Sequence, residues 1–288
     1  MTFLHSTCPM LVDCHTHVFP PKIGPKLAAA IGQEFGRPPA GDGSPEDLLR
    51  HLDHAALTHA LCFTAALRPE QTVPANTWMI EVGRQHPRLI PFGSVHPLHP
   101  GWAGQLDRLR RHGIHGLKIH PDLTGIPLDS PVWRPLWEAA QDDFTCMIHM
   151  GPSRPGNPTV SPPRALASVL DNFPRLRVIA AHLGGLHQWS QTLDLLCGRD
   201  LDLDTSCCGP FLGEPAVTAI LRRHAPDRIL FGSDYPLFNP RVERANLATL
   251  RSCGLTGERI MDNGARLARN LKNGSIPALP PPSWVDIS

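Results

Sequence analysis

The 288-residue chain has 41% hydrophobic and 18% charged side chains and a formal net charge of +1, which excludes wholesale disorder and offers no basic stripe for nucleic acid. Its length suits a single α/β barrel domain, and no apolar run is long enough to span a bilayer. The eight cysteines show neither Cys-x-x-Cys spacing nor a dense framework, and no leader-like segment opens the sequence, so free thiols in a soluble cytoplasmic protein are expected.

Short apolar runs at residues 10–17, 60–64, 89–95, 116–120, 145–149, 178–182, 201–205 and 229–233 are predicted as strands. Eight such runs are what a closed (β/α)8 barrel requires. A helix start follows Ser44, with Pro45 in its first turn, acidic Glu46 and Asp47 next, and Leu48, Leu49, Leu52, Ala55 and Ala56 on one face. Further helical patterns occupy 75–85, 101–111, 132–142, 163–172, 188–197, 216–224 and 242–252. Alternating strand and helix with short connections implies a parallel sheet covered by helices. Long connections follow three of the strands: 18–43, with at most a turn of helix at 27–31, then 151–162 and 206–215. A proline-rich tail, 276–288, is expected to pack on the surface or fray.

Several of these strands end in metal-capable side chains. His15 and His17 are two residues apart and so share a strand face. His149, His182 and Asp234 each stand where a later buried run emerges. A parallel barrel brings such positions together at the carboxyl ends of its strands, and imidazole with carboxylate suits a borderline divalent ion such as zinc. An open doubly wound sheet does not normally gather side chains from first, middle and last strands. Most of the sixteen histidines need no such role; His5, His51, His54, His59, His86, His112 and His224 fall near presumed helices or the terminus. Asp13 lies deeper on the histidines' face, where an orienting hydrogen bond is more natural than ligation.

The ordered motifs Asp13-x-His15-x-His17, Gly116-Leu117-Lys118-Ile119-His120-Pro121, Ala181-His182-Leu183-Gly184-Gly185, Gly232-Ser233-Asp234-Tyr235-Pro236 and Asn263-Gly264-Ala265-Arg266-Leu267 span nearly the whole chain. They resemble the amidohydrolase superfamily, most closely its aminocarboxymuconate-semialdehyde decarboxylase-like branch. The resemblance implies a distorted (β/α)8 barrel with one catalytic divalent metal, zinc or manganese, held by His15, His17, His149 and Asp234. It implies His182 as the nearby acid/base, or a ligand in some metal states. Other branches use a strand-four lysine to bridge two metals; here the branch favours one metal, leaving Lys118 in the polar interior, where pairing with Asp13 is an alternative. His120 then becomes a substrate-contact candidate.

An open divalent site lowers the pKa of water, His182 titrates near the operating pH, and Asp234 can hand a proton to a leaving group. Hydrolysis of a small ester, lactone or amide is the expected reaction. Non-oxidative decarboxylation of an unsaturated or aromatic carboxylate is the alternative, for which Arg154 is the only arginine in the strand-five loop. Phe211 and Phe238 are candidate pocket walls. A small-molecule substrate is expected, with no nucleic-acid or membrane partner, and a homodimer is compatible with the chain.

Overall fold

Each predicted run contributes a strand to a parallel array: β1 Val12–His17, β2 His59–Phe63, β3 Leu89–Pro91, β4 Gly116–Ile119, β5 Thr145–Ile148, β6 Arg177–Ala180, β7 Asp202–Asp204 and β8 Ile229–Leu230. The computed structural model describes residues 9–274, so His5 and the 276–288 tail lie outside the described residues. The strands form two hydrogen-bonded groups, β1-β2-β3 and β4 through β8. Single bridges sew the groups together. Gly116 O accepts from Gly93 N and Gly93 O from Lys118 N, both at 2.8 Å. On the other side, Cys14 N donates to Phe231 O (2.8 Å), Asp234 N to His15 O (2.8 Å) and His17 N to Tyr235 O (2.7 Å). This is the distorted (β/α)8 barrel the sequence predicts.

The strands end earlier than the apolar runs suggest, and the reason lies in the backbone. His182 and Asp234 sit at φ +59° and +65°, a left-handed conformation that no ladder residue adopts. The chain therefore turns sharply at two of the residues the sequence singles out. A register shift between Asp13 and Thr16 interrupts β1, and bulges of this kind re-aim a side chain.

The helices are α1 Gly24–Phe35, α2 Pro45–His54, α3 Thr72–Gln85, α4 Trp102–Arg111, α5 Pro121–Thr124, α6 Arg134–Ala140, α7 Pro163–Asn172, α8 Trp189–Leu195, α9 Pro215–Arg223, α10 Pro240–Asn246 and α11 Gly257–Asn273. Ser44 caps α2 as expected, its Oγ accepting from Asp47 N at 3.2 Å, and Leu48 and Leu52 are buried beneath it. Two expectations are corrected. The 18–43 connection holds twelve residues of helix in α1, not a single turn. The 242–252 pattern divides, because α10 tightens into a 3-10 run at Leu247–Cys253 that stops at left-handed Gly254.

Alternation along the strands separates two buried layers. Leu117, Ile119, Cys146, Ile148, Val178 and Ala180 pack with residues of the helices, including Leu106, Leu109, Leu136 and Trp137. Met147 and Ile179 belong instead with Phe63, Phe92, Leu230 and the α11 residues Ala268 and Leu271. Helix α11 approaches β1 closely at Gly264, where a Cβ would lie 3.1 Å from Cys14 Sγ.

His224, at the end of α9, is a structural bridge with a measurable signature. It is buried, its Nε2–H donates to Leu201 O (3.0 Å) and its Nδ1 accepts from Gly198 N (3.3 Å). Burial pulls its pKa from 6.5 down to about 4. Between those values the unfolded chain binds more protons, so stability falls as pH drops from about 6.5 to about 4. Denaturant titrations across that window should show this loss, and His224→Gln should flatten it while lowering stability at neutral pH.

Candidate metal centre

Five of the predicted residues converge at the carboxyl ends of the strands. His15 Nε2 and His17 Nε2 lie 3.2 and 3.3 Å from the same oxygen, Asp234 Oδ1. His182 Nε2 lies 3.1 Å from His149 Nδ1. Ligand atoms of His15, His182 and Asp234 all fall within 4.8 Å of one another. His182 thus stands inside the tightest donor group, with His17 flanking it through Asp234 and His149 through His182.

Hydrogen-bond partners assign the imidazole tautomers. His149 Nε2 faces the carbonyl of Gly151 at 3.0 Å, so it carries the proton and Nδ1 keeps a lone pair. His182 Nδ1 faces the carbonyl of Ser206 at 3.2 Å and its hydroxyl at 2.9 Å, so Nε2 keeps the lone pair. Two lone pairs then confront each other across 3.1 Å. His15 Nδ1 is 2.8 Å from the Asp204 carboxylate, which leaves its Nε2 lone pair facing an Asp234 oxygen. Acceptors opposed in this way repel unless a cation meets them; Lys118 Nζ does so at His15 Nε2, 3.3 Å away, so the facing nitrogens of His149 and His182 are what call for a further cation. Donors sharing one tetrahedral zinc at about 2.0–2.1 Å sit about 3.3 Å apart, close to the pairwise 3.1–3.3 Å contacts found here, while the His15, His182 and Asp234 group as a whole falls within 4.8 Å. The residues present fit a divalent ion.

Burial keeps the ring nitrogens available to such an ion. It pulls His15, His17 and His182 downward, His182 to about 4, and takes His120 and His149 well below the usual range. For Asp234, burial opposes ionisation but His15 and His17 overcome it and hold the carboxyl well below its normal value. Cys207, itself at φ +58°, directs its thiol to Asp234 Oδ2 at 3.0 Å.

Asp13 does not approach the donor group as a ligand. Its Oδ1 accepts from the amides of His15 (3.1 Å) and Ser233 (2.9 Å), tying strand β1 to the turn that presents Asp234. Burial pushes its carboxyl up to about 7. Lys118 makes no ion pair with Asp13. Its buried Nζ lies 3.3 Å from His15 Nε2 and 4.5 Å from the centroid of Phe63. His120 stacks on His149, with centroids 3.9 Å apart and planes at 12°.

The more distant candidates divide. Arg154 bonds the carbonyls of Gln33 and Glu34 at the end of α1, which ties the 151–162 connection to the 18–43 connection. Phe211 packs with His187 and Trp189, and Phe238 lies beneath the Arg37 guanidinium, 3.7 Å from the ring centroid. A cavity of about 280 Å³ opens at the opposite end of the barrel, among Thr145, Arg177, Asp202 and Arg228, and none of the predicted site residues lines it. That end normally serves stability.

Sequence reasoning missed Asp204 and Ser206. Both are fully buried against His15 and His182. Asp204 closes its strand in the same manner as the predicted ligands, and that position was the available signal.

No helix of the described residues is long and apolar enough to cross a membrane. A family model described as Amidohydrolase matches residues 12–256. Nothing among curated protein sequences matches the chain. Solved structures do. 5-Carboxyvanillate decarboxylase from Sphingomonas paucimobilis aligns with TM-score 0.65 at 15% identity, covering 91% of this chain and 99% of its own. 2,6-Dihydroxybenzoate decarboxylase from Rhizobium gives 0.66 at 16%, covering 92% and 99%. A probable 2-pyrone-4,6-dicarboxylic acid hydrolase from Acinetobacter baumannii gives 0.59 at 17%, covering 88% and 98%.

Proposed function

We propose, on the premise that this chain belongs to the amidohydrolase family and is an enzyme of that superfamily, that it hydrolyses a small ester, lactone or amide. His15, His17, His149 and Asp234 would hold one divalent ion, zinc or manganese, and His182 would act beside it as acid/base. When bound, the ion would polarise the scissile carbonyl and acidify the attacking water.

The protonation state of His182 carries this reading. Its Nδ1 proton is committed to Ser206, its Nε2 lone pair faces the donor group 3.1 Å from His149 Nδ1, and burial disfavours the protonated ring. With Nδ1–H engaged in this way, Nε2 is the ring atom placed to accept a proton. Water activation needs such a base: Nε2 takes a proton as the water oxygen bonds to the carbonyl carbon. The carbon–oxygen or carbon–nitrogen bond then breaks, and the proton passes from His182 or through Asp234 to the leaving atom. His120, Phe211 and Phe238 are the candidates for substrate contact. Arg154, engaged at the end of α1, must exchange those carbonyls to join them.

Similarity to the two decarboxylases favours a second reading, loss of carbon dioxide from an aromatic carboxylate. That reaction must deliver a proton to carbon, and His182 Nε2 or Asp234 would have to acquire that proton first. Zinc- and manganese-reconstituted protein should be assayed on lactones, aryl esters and hydroxybenzoates, with acid production and carbon dioxide measured together. Hydrolysis without carbon dioxide is expected; carbon dioxide release without hydrolysis would transfer the protein to the second reading.

A further inference from the structure

The exit of strand β7 supplies a set of buried contacts of which the proposed reaction uses only the one between Ser206 and His182. Asp204 Oδ2 lies 2.8 Å from His15 Nδ1, while its Oδ1 accepts from the amides of His182 (3.2 Å) and Ser206 (3.0 Å). The Ser206 hydroxyl lies 3.1 Å from His15 Nδ1 and 2.9 Å from His182 Nδ1, and also bonds Asp204 Oδ1. An ionised carboxylate only accepts, so the single hydroxyl proton goes to Asp204. One lone pair of Ser206 Oγ is then left for His182 Nδ1–H, and the other faces the His15 Nδ1–H that Asp204 Oδ2 accepts at the shorter distance. The donors and acceptors balance with one assignment.

The geometry points to Asp204 and Ser206 as positioning residues that lock His15 and His182 in the same tautomer, each protonated on Nδ1 with its Nε2 lone pair turned to the metal centre. One short segment thereby sets the ligand character of an imidazole from β1 and the basic character of another after β6. Asp204 fixes the ring of His15 and the backbone of His182; Ser206 joins the two rings. The inference rests on the reading of the centre as a metal site, and it is independent of substrate and reaction.

The test uses the full-length protein with 15N-labelled histidine, in zinc-loaded and metal-stripped forms at pH 8. Ring-nitrogen NMR distinguishes Nδ1–H from Nε2–H, and both His15 and His182 are expected to carry the proton on Nδ1. An Nε2–H assignment for either ring in the zinc-loaded protein overturns the inference without any variant. Asp204→Asn preserves shape but offers an amide donor to His15 Nδ1. It should convert metal-stripped His15 to Nε2–H and weaken zinc binding about 10–100-fold, as lost outer partners of ligating histidines do. Ser206→Ala retains the main-chain carbonyl against His182 Nδ1, so its loss of zinc affinity should be smaller. Unchanged tautomers and unchanged zinc affinity in both variants would refute the positioning role. Should zinc fail to bind the wild type, the metal reading falls. Absence of hydrolysis with zinc bound and both protons on Nδ1 would count only against the proposed reaction.

Discussion

Replacing His182 by asparagine is expected to leave a folded protein that retains its metal but loses turnover by about 10²–10⁴-fold, the usual worth of a positioned proton acceptor. Asparagine can still face the Ser206 hydroxyl and carbonyl that hold the ring, which favours folding. It has no basic nitrogen to receive a proton from water. Loss of kcat with little change in KM is the expected pattern, since the proton moves only as the reaction proceeds. Metal content gives an independent reading, because His182 lies in the tight donor group with His15 and Asp234. Full metal loss in His182→Asn would make it a ligand; full turnover would deny it either role.

His15→Ala is expected to abolish both metal binding and activity. His15 is fully buried and meets Asp204, Lys118 and Asp234 at once. Its removal deletes a donor, so the affinity loss should exceed the 10–100-fold typical of losing only an outer hydrogen bond. It also leaves Asp204 without its ring partner, and that carboxyl is buried yet held at about 2 chiefly because His15 outweighs the burial. Thermal melting should therefore report destabilisation in addition to the metal loss. A variant binding zinc as tightly as the wild type would remove His15 from the ligand set.

The ligand-type residues were legible because each combines an apolar run with a terminal side chain that has little reason to be buried otherwise. His-x-His on β1 and the histidines after Ile148 and Ala181 followed that rule. Asp204 obeyed it too, but Asp202–Asp204 is a three-residue strand with aspartate at both ends, and its acidic pattern hid which carboxylate faced the centre. Ser206 had no comparable signal, since its importance arises from the sharp path that follows the strand and brings one hydroxyl between two rings. The number and order of strands were readable from alternation, whereas their ends were not, because φ +59° at His182 and +65° at Asp234 are imposed by tertiary contacts. Helix α1 lacked a side-chain cap, with Ile23 at its start, and its remaining punctuation, Pro25 in the first turn and left-handed Gly36 after the last residue, was lost among the other glycines and prolines of the connection. The pairing of Lys118 with His15 instead of Asp13 also depends on distances that spacing does not encode.

The hydrogen bonds from Asp234 N to His15 O and from His17 N to Tyr235 O have a bearing on how the protein is made. The same few residues shut the circle of strands and supply the donor set, although more than two hundred positions of chain separate them. Contacts of such sequence separation are paid for late in folding, after long loops have been closed. On the ribosome, the earlier strands emerge well before their last neighbour exists. A nascent chain therefore contains the histidines without the carboxylate they share. The donor group is complete only when the final strand docks against the first.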